Sequence, residues 1–140
     1  MACGAGNLNL QRPRMWPTAT SDSAKERELM AKKILITGAS SGFGRGAAIE
    51  LARRGHKVVA SAETWPQVRN LRADAADAGA ELEVIKLNLL DGIDIAHAAT
   101  YDPDVLVLNA GVMESGSIVD IPMERVRDSF DINVFGHLKL

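Results

Sequence analysis

Apolar residues follow two alternating patterns from Lys33 to the end of the chain. Short apolar runs of strand length are separated by longer stretches in which apolar residues recur every three or four positions. We predict that the short runs form four β-strands, at Lys33–Thr37, Lys57–Ser61, Leu82–Leu87 and Val105–Leu108. Because strands alternate with helices, the connections should be right-handed crossovers within one doubly wound parallel sheet of an α/β fold. The uninterrupted apolar run of the fourth strand is typical of a strand covered on both faces.

The first two helices carry signals at their ends. Helix Phe43–Arg54 should bury one face, and Gly55 fits the position after its last turn. That face carries residues spaced four apart, namely Phe43, Ala47 and Leu51. Thr64 and Gln67 have the spacing of a capping box that opens the second helix, and Gly79 ends it.

The last two helices are predicted from acidic residues placed before apolar stretches. Asp91 should cap a short helix at about residues 93–100, and Asp120 should cap a long helix that begins near Pro122. Along the long helix runs an apolar stripe, formed by Met123, Val126, Phe130, Val134 and Leu138.

Residues 1–29 differ from the remainder of the chain. They contain Gly, Asn and Pro residues and show no apolar periodicity until about Leu29. They also lack the apolar core of a signal peptide. We therefore expect a disordered N-terminal extension, followed by a domain over residues 30–140 for which Met30 is a natural start.

Composition excludes several classes of function. The 140 residues are 46% hydrophobic and carry a formal net charge of −2, so no basic surface for nucleic acid is expected. No apolar run of 18 residues occurs, so no transmembrane helix is predicted. Cys3 is the only cysteine, which precludes an internal disulfide and suits the cytoplasm. The three histidines lack the spacing of metal ligands.

The stretch between the first strand and the first helix, residues 37–44, has the glycine pattern T-G-x-x-x-G-x-G. Such a turn can direct backbone N–H groups and a helix N-terminus at a phosphate, and glycine permits the close approach. The alternative is an ordinary tight turn between strand and helix. The candidate phosphate-binding residues are Gly38, Ser40, Ser41, Gly42, Phe43 and Gly44.

Three motifs in the same order resemble the classical short-chain dehydrogenase/reductase family. They are the turn at residues 37–44, Asn109-Ala110-Gly111 after the fourth strand, and Asn133-Val134-Phe135-Gly136 in the long helix. The resemblance covers Met30–Leu140, about the N-terminal half of a family domain. It implies a Rossmann-type sheet, a homo-oligomeric full-length protein, and hydride transfer between NAD or NADP and a small alcohol or carbonyl substrate. The alternatives are a nucleotide-binding fragment or pseudoenzyme, and another Rossmann class such as a methyltransferase.

The resemblance places the adenosine half of the cofactor beside the second and third strands. The family's NAD-selecting acid would lie near Ala62, and Glu63 is close enough to take its role, which favours NAD over NADP. A solvated Glu63 is the alternative, and Arg45 beside the turn would favour NADP. Asn88 and Leu89 stand where the family contacts adenine, and a turn-forming Asn88 is the alternative.

The other two motifs should border the nicotinamide half. In the family, the segment corresponding to Asn109, Ala110 and Gly111 braces the sheet and lies along the ribose, whereas a plain strand-ending turn is the alternative. Asn133 corresponds to the family's catalytic Asn, which holds a water in a proton relay. A partly buried helix Asn is the other interpretation of Asn133.

The family's acid–base pair, a Tyr followed four residues later by a Lys, is not present. Tyr101 is the only tyrosine, it is followed at that spacing by Val105, and it precedes the fourth strand. Ser115 and Ser117 come too early to be the family's substrate-orienting Ser. We therefore expect that the chain is truncated before this pair, has no turnover by itself and is poorly stable alone.

Overall fold

The computed structural model describes residues 30–117 and 119–140. The expected disordered extension over residues 1–29 lies outside the described residues. The domain boundary at Met30 therefore stays a prediction.

Four parallel strands form one sheet in the order β3-β2-β1-β4. Each lies within one or two residues of its predicted bounds, because the apolar runs that define them are short and sharply ended. The strands are β1 Lys33–Ile36, β2 Lys57–Ala62, β3 Glu83–Lys86 and β4 Val105–Val107. The chain adds β2 and β3 on one side of β1 and then crosses back to place β4 on the other side.

Helices cover both faces of the sheet. They are α1 Gly42–Arg53, α2 Trp65–Asp77, α3 Gly92–Ala99 and α4 Met123–Phe130, and α4 continues as a π-helix over Asp131–Gly136. One apolar layer packs the sheet against Ala48 of α1 and Leu71 of α2, and the other packs it against Ile95 and Ala98 of α3. This arrangement confirms the predicted doubly wound α/β fold. Among the described residues, no helix has the length and apolar character needed to cross a bilayer.

Several local signals formed as predicted. The capping box is present, with the Gln67 Oε1 accepting from the Thr64 N–H at 2.9 Å. The Asp91 side chain accepts from the N–H groups of Ile93 and Asp94 at the start of α3. Gly55 has a φ of +91°, a left-handed value that favours glycine after a helix end.

Two local predictions were wrong. Phe43 is 94% exposed, whereas Ala47 and Leu51 of the predicted face do pack against the core, beside the buried Gly44 and Ala48. Asp120 does not cap the long helix, which begins at Met123 after Pro122 with no side-chain cap. Asp120 instead lies in the preceding turn, where its N–H donates to the Ser117 carbonyl at 2.9 Å.

The two edges of the sheet differ. At β3, the Arg72 Nη2 donates to the Val84 carbonyl at 2.8 Å, so a side chain satisfies part of that edge. At β4, no further strand pairs within the described residues, and Val105 and Leu106 are partly exposed. The expectation that β4 is covered on both faces is therefore wrong for the described chain. The apolar stripe of the long helix is also largely exposed.

A single buried hydroxyl joins the ends of β1 and β4. Thr37 is fully buried, and its Oγ1 accepts from the backbone N–H groups of Asn109 and Ala110, each at 3.0 Å. The Thr37 N–H also donates to the Val107 carbonyl at 3.0 Å. Thr37 therefore continues the pairing of β1 with β4 after both strands have ended.

We expect the 140-residue chain to bind a hydrophobic dye and to self-associate, because the stripe and the β4 edge expose apolar groups. Leu138→Gln should reduce dye fluorescence and the sedimentation-derived mass. Ile93→Gln is the matched control, since Ile93 on α3 is 81% exposed and Leu138 is 78% exposed. A monomeric wild-type chain that melts cooperatively and binds no dye would contradict this expectation.

We expect Thr37→Val to lower the free energy of unfolding by about 1–3 kcal/mol, because two buried N–H groups lose their acceptor. Thr37→Ser keeps the hydroxyl and should lose less. Urea unfolding followed by circular dichroism measures both variants against wild type. Equal stability of the Val variant and wild type would show that the hydroxyl does not hold the two strand ends.

Candidate functional site

A cavity of about 330 Å³ lies at the carboxyl ends of all four strands. In parallel α/β sheets this edge is where ligands bind, at the point where strand order reverses. Nine of the residues predicted for the site line the cavity, namely Gly38, Ser40, Ser41, Glu63, Asn88, Leu89, Asn109, Ala110 and Gly111. The structure therefore brings together four loops that are far apart in the sequence.

The four other predicted residues do not line this cavity. Gly42, Phe43 and Gly44 form the first turn of α1 at its margin, and Asn133 lies in the π-helix behind Val112. Phe43 is solvent-exposed beside the turn, whereas Gly44 is buried beneath it.

The three motif glycines meet different steric demands. Gly38 has a φ of +65°, and a Cβ there would lie 2.5 Å from the Ala110 Cα. A Cβ on Gly44 would lie 2.5 Å from the Gly38 carbonyl oxygen and would also collide with the Asn109 Nδ2. Gly42 has a φ of +54°, yet a Cβ on it would meet nothing within 4 Å. Gly38 and Gly44 therefore serve close packing, while Gly42 faces open space.

The N-terminus of α1 opens beside this space. Ser41 occupies the N-cap position in an extended conformation, and its side chain makes no capping hydrogen bond. The first N–H groups of a helix have no partner within the helix, and the helix dipole favours negative charge near them. This turn can therefore accept a phosphate group.

Asn109 braces the turn from the end of β4. Its Nδ2 donates to the Thr37 carbonyl at 3.0 Å and to the Gly38 carbonyl at 2.9 Å. Both hydrogens of the side-chain amide are thus used to fix the backbone of the glycine turn. The geometry favours the brace over a plain strand-ending turn.

The end of β2 presents Glu63 to the cavity. Ala62 is buried, whereas Glu63 is exposed and lines the cavity together with Gln67. Arg45, the residue that would favour NADP, has its Nη1 paired with the Asp74 Oδ2 at 2.8 Å. Among the described residues that line the cavity, Glu63 is the one with a charged side chain.

The end of β3 is held by a turn and an ion pair. The Asn88 Oδ1 accepts from the Leu90 N–H at 2.9 Å, so the turn-forming interpretation of Asn88 is observed even though the residue also lines the cavity. The Asn88 N–H donates to the Asp94 Oδ2 at 2.9 Å, and Lys86 pairs with the same carboxylate.

The charge on Asp94 is favoured despite partial burial. Burial acts to raise the pKa of the Asp94 carboxyl, but the hydrogen bonds from Lys86 and the Asn88 N–H together lower it from its usual value. The Lys86 ammonium shows the reciprocal change, since its hydrogen bond to Asp94 raises its pKa. An ionised Asp94 therefore holds the loop that carries Asn88.

Asn133 is tied to the loop after β4 by both ends of its amide. Its Oδ1 accepts from the Val112 N–H and its Nδ2 donates to the Val112 carbonyl, each at 2.8 Å. The π-helix thus lies against the Asn109–Gly111 segment. Asn133 does not reach the cavity directly with its side chain.

Tyr101 lies at the opposite end of the sheet. Its Oη donates to the Oε1 of Glu83, the first residue of β3, at 2.5 Å. That hydrogen bond, with a smaller effect of burial, raises the pKa of Tyr101 to about 12. A tyrosine held as a phenol away from the cavity does not supply an acid–base group there, as the sequence indicated.

Some cavity residues were missed by the sequence analysis. Gln67 was recognised only as a capping residue, and Val112 and Ile132 gave no signal beyond their apolar character. Thr37 was recognised as part of the turn, but its role in joining two loops depends on contacts more than 70 positions apart. No group of three or more potential metal ligands occurs in the part of the chain that is described.

Comparison with known proteins gives a consistent result. Residues 32–140 match the family described as short chain dehydrogenase. An uncharacterized oxidoreductase of Myxococcus xanthus is 40% identical over 115 residues, which are 78% of this chain and 46% of that protein. The NADPH-dependent pterin aldehyde reductase of Arabidopsis thaliana is 33% identical, over 76% of this chain and 46% of its own length.

Solved structures show the same architecture. A short-chain dehydrogenase from Streptomyces avermitilis superposes with a TM-score of 0.68 at 36% identity, covering 79% of this chain and 41% of that chain. A short-chain dehydrogenase from Sphingobium yanoikuyae in complex with NADPH gives a TM-score of 0.65 at 30% identity, covering 76% of this chain and 44% of that chain.

The chain spans somewhat less than half the length of these relatives. Within that length the match takes in all four strands, the glycine turn and the π-helix. On its sequence match and its fold together, the chain belongs to the short-chain dehydrogenase family.

Proposed function

We propose that the cavity binds a nicotinamide dinucleotide and that the protein is an oxidoreductase. The observation that carries this proposal is the open space above Gly42, between a glycine turn and the uncapped N-terminus of α1. Residues 40–44 would hold the pyrophosphate, and Glu63, Asn88 and Leu89 would border the adenosine. The loop at Asn109, Ala110 and Gly111 would border the nicotinamide ribose.

The bound cofactor would supply hydride transfer to or from a small alcohol or carbonyl substrate. The residues of this chain would bind and orient it: Asn109 fixes the turn through two carbonyls, and Thr37 fixes Asn109 and Ala110. Asn133 would hold a water in a proton relay, as the family resemblance implies. The two hydrogen bonds between Asn133 and Val112 would fix the position of that water relative to the loop that borders the cofactor.

A second function is favoured by Tyr101. Because the only tyrosine is bonded to Glu83 far from the cavity, the 140 residues by themselves would bind a dinucleotide without turning it over. Residues 30–140 would then be the cofactor-binding part of a domain, preceded by an extension over residues 1–29.

We propose NAD as the preferred cofactor. The Glu63 carboxylate can accept hydrogen bonds from ribose hydroxyls and would repel a 2′-phosphate. The pairing of Arg45 with Asp74 supports this choice, because it occupies the guanidinium that would otherwise favour NADP. By contrast, the Arabidopsis relative is named as NADPH-dependent, and the Sphingobium structure is a complex with NADPH.

The family resemblance also bears on the cellular location and the oligomeric state of the protein. We propose a cytoplasmic protein whose full-length form is a homo-oligomer, as the family resemblance implies. A single cysteine precludes an internal disulfide and supports a reducing compartment.

Gly42→Ala should weaken dinucleotide binding by about tenfold or more, because a methyl group would enter the space proposed for the phosphate. Gly79→Ala is the matched control: Gly79 has a φ of +62°, and a Cβ there also meets nothing within 4 Å. Both variants should lose similar stability, about 1–2 kcal/mol, from a left-handed backbone. Titration calorimetry with NADH and NADPH measures the affinities.

An unchanged affinity in folded Gly42→Ala would place the phosphate elsewhere. Failure of the wild-type chain to bind either dinucleotide would contradict the proposed function itself.

Glu63→Arg should shift preference toward NADP by about tenfold or more, since it replaces a repelling charge with an attracting one. Glu81→Arg makes the same change of charge at the opposite end of the sheet, next to the amino end of β3, and should leave the preference between NAD and NADP unchanged. The ratio of the two dissociation constants is measured for each variant. Tighter binding of NADP than NAD by the wild-type chain would reject the role given to Glu63.

The 140-residue chain should show no sustained turnover when NAD(P)H absorbance is followed with a panel of alcohols and ketones. The reason is the position of Tyr101, which is held at the amino end of β3. Turnover that survives Tyr101→Phe would require another residue in the acid–base role. Turnover that is lost with Tyr101→Phe would contradict the position assigned to this side chain.

A further inference from the structure

His137 connects two parts of the candidate site through opposite sides of its ring. The ring is half-buried, with Nδ1 lying 3.2 Å from the Asn133 carbonyl oxygen and Nε2 lying 3.3 Å from the Thr37 Oγ1. Thr37 holds the Asn109 and Ala110 loop, and Asn133 lies in the π-helix. The imidazole therefore bridges the end of β1 and the long helix.

The π-helix makes this bridge possible. In an α-helix the Asn133 carbonyl would accept from the backbone N–H of His137, four residues later. Here that N–H donates to the Val134 carbonyl instead. The side chain of the same residue, rather than its backbone, meets the Asn133 carbonyl.

The hydrogen-bond partners determine which nitrogen carries the proton. A hydroxyl has two acceptor lone pairs and one hydrogen, and the lone pairs of Thr37 are used by the N–H groups of Asn109 and Ala110. Its hydrogen can point to His137 Nε2 or to the Val107 carbonyl, which lies 3.4 Å away. That carbonyl already accepts from the Thr37 N–H at 3.0 Å, and it shares the Asn109 N–H, at 3.1 Å, with the Thr37 Oγ1.

The hydroxyl hydrogen is thus best used on Nε2, which must then be unprotonated. The Nδ1 must carry the ring hydrogen, because its partner is a carbonyl oxygen and can only accept. A directed chain results: the loop N–H groups donate to Thr37, Thr37 donates to His137, and His137 donates to the Asn133 carbonyl.

We propose that His137 is a positioning residue, held as the neutral Nδ1–H tautomer, that fixes the Asn133 carbonyl relative to the cofactor loop. The side-chain amide of Asn133 bonds to Val112 and its main-chain carbonyl meets His137 Nδ1, so both polar ends of this residue are held against the loop after β4. The Nδ1–H of His137 uses one of the two lone pairs of that carbonyl. This role rests on the proposed function, whereas the tautomer follows from the hydrogen bonds alone.

The tautomer is tested on the wild-type 140-residue chain, uniformly labelled with 15N, by long-range 1H–15N correlation at about pH 8.5, where free imidazole is neutral. We expect His137 to show a protonated Nδ1 and an unprotonated Nε2. His56 is an internal control of opposite sign, because its Nδ1 accepts from the Lys32 N–H at 3.2 Å. A His137 ring protonated on Nε2 would overturn the proposal.

Two conservative variants distinguish the hydrogen bond at His137 Nδ1 from the hydrogen bond at Nε2. His137→Asn can place an amide N–H near the Nδ1 position, and His137→Gln can place an amide near the Nε2 position. We expect His137→Leu to weaken NADH binding about threefold to tenfold, the effect of one or two neutral hydrogen bonds. The Asn variant should recover part of this loss, and equal affinities for Leu, Asn and wild type would overturn the positioning role.

Two variants of Thr37, Thr37→Ser and Thr37→Val, test whether the His137 tautomer depends on the Thr37 hydroxyl. The Ser variant keeps the donor to Nε2, so the His137 tautomer should be unchanged, whereas the Val variant should leave a mixture of tautomers. The His56 signals should not change in either variant. A His137 spectrum that is the same in Thr37→Val and wild type would contradict the bridge. Failure of NADH binding by the wild type, with the expected tautomer present, would reject the proposed function and leave the bridge intact.

Discussion

The hydroxyl of Thr37 is the interaction on which the geometry of the site depends. It lies at the point where β1 gives way to the glycine turn and where β4 gives way to the Asn109 loop. Two loops that leave neighbouring parallel strands have no ladder hydrogen bonds to hold them together, and their backbone groups still need partners. One fully buried side chain supplies acceptors for two of those groups. The separation of the two loops is thereby set by a hydrogen-bond length and not by loop flexibility.

The glycine turn and the Asn109 loop constrain each other in return. Gly38 lies against Ala110, and Gly44 lies against Asn109, at distances that leave no room for a Cβ. The amide of Asn109 then bonds to the backbone of the turn. Close packing below the turn leaves its upper side, at Gly42, as the part free to approach a ligand. In the proposed site, close packing and phosphate binding would therefore be divided between different glycines of one motif.

Short-range features of this fold were predictable because their causes lie within a few residues. The capping box of Thr64 and Gln67, the Asp91 cap and the four strands all formed, since each depends on local backbone geometry. The prediction for Phe43 was wrong because the buried face of α1 is centred on Gly44 and Ala48, with Ala47 and Leu51 at its margin and Phe43 outside it. The prediction that Asp120 caps the long helix was wrong because an acidic residue before a helix can equally belong to the preceding turn.

Long-range features needed the structure. The glycine motif and the Asn109 motif predicted the same site from family resemblance, but nothing in the sequence distinguishes the residue that joins them, Thr37, from the other four threonines. The π-helix was not anticipated either, because residues 131–136 continue the same apolar stripe as α4. The contact of the Asn133 carbonyl with the imidazole of His137, rather than with the backbone N–H of the same residue, is visible only in three dimensions.

The two edge strands of the described sheet, β3 and β4, differ in how readily they can pair with a strand of another chain. The Leu87 N–H donates to the Ala62 carbonyl and therefore faces β2. Because the backbone groups of successive residues in a strand face opposite sides, the Val84 carbonyl faces away from β2, where Arg72 donates to it. Within the described residues, a side chain thus occupies part of the β3 edge, whereas no further strand pairs with the outer side of β4. Two copies that meet through like edges use up the open edge of both and form a closed pair. For a sheet made of the described residues alone, a fibre would require the β3 edge of one copy to meet the β4 edge of the next, and the Arg72 contact would first have to break.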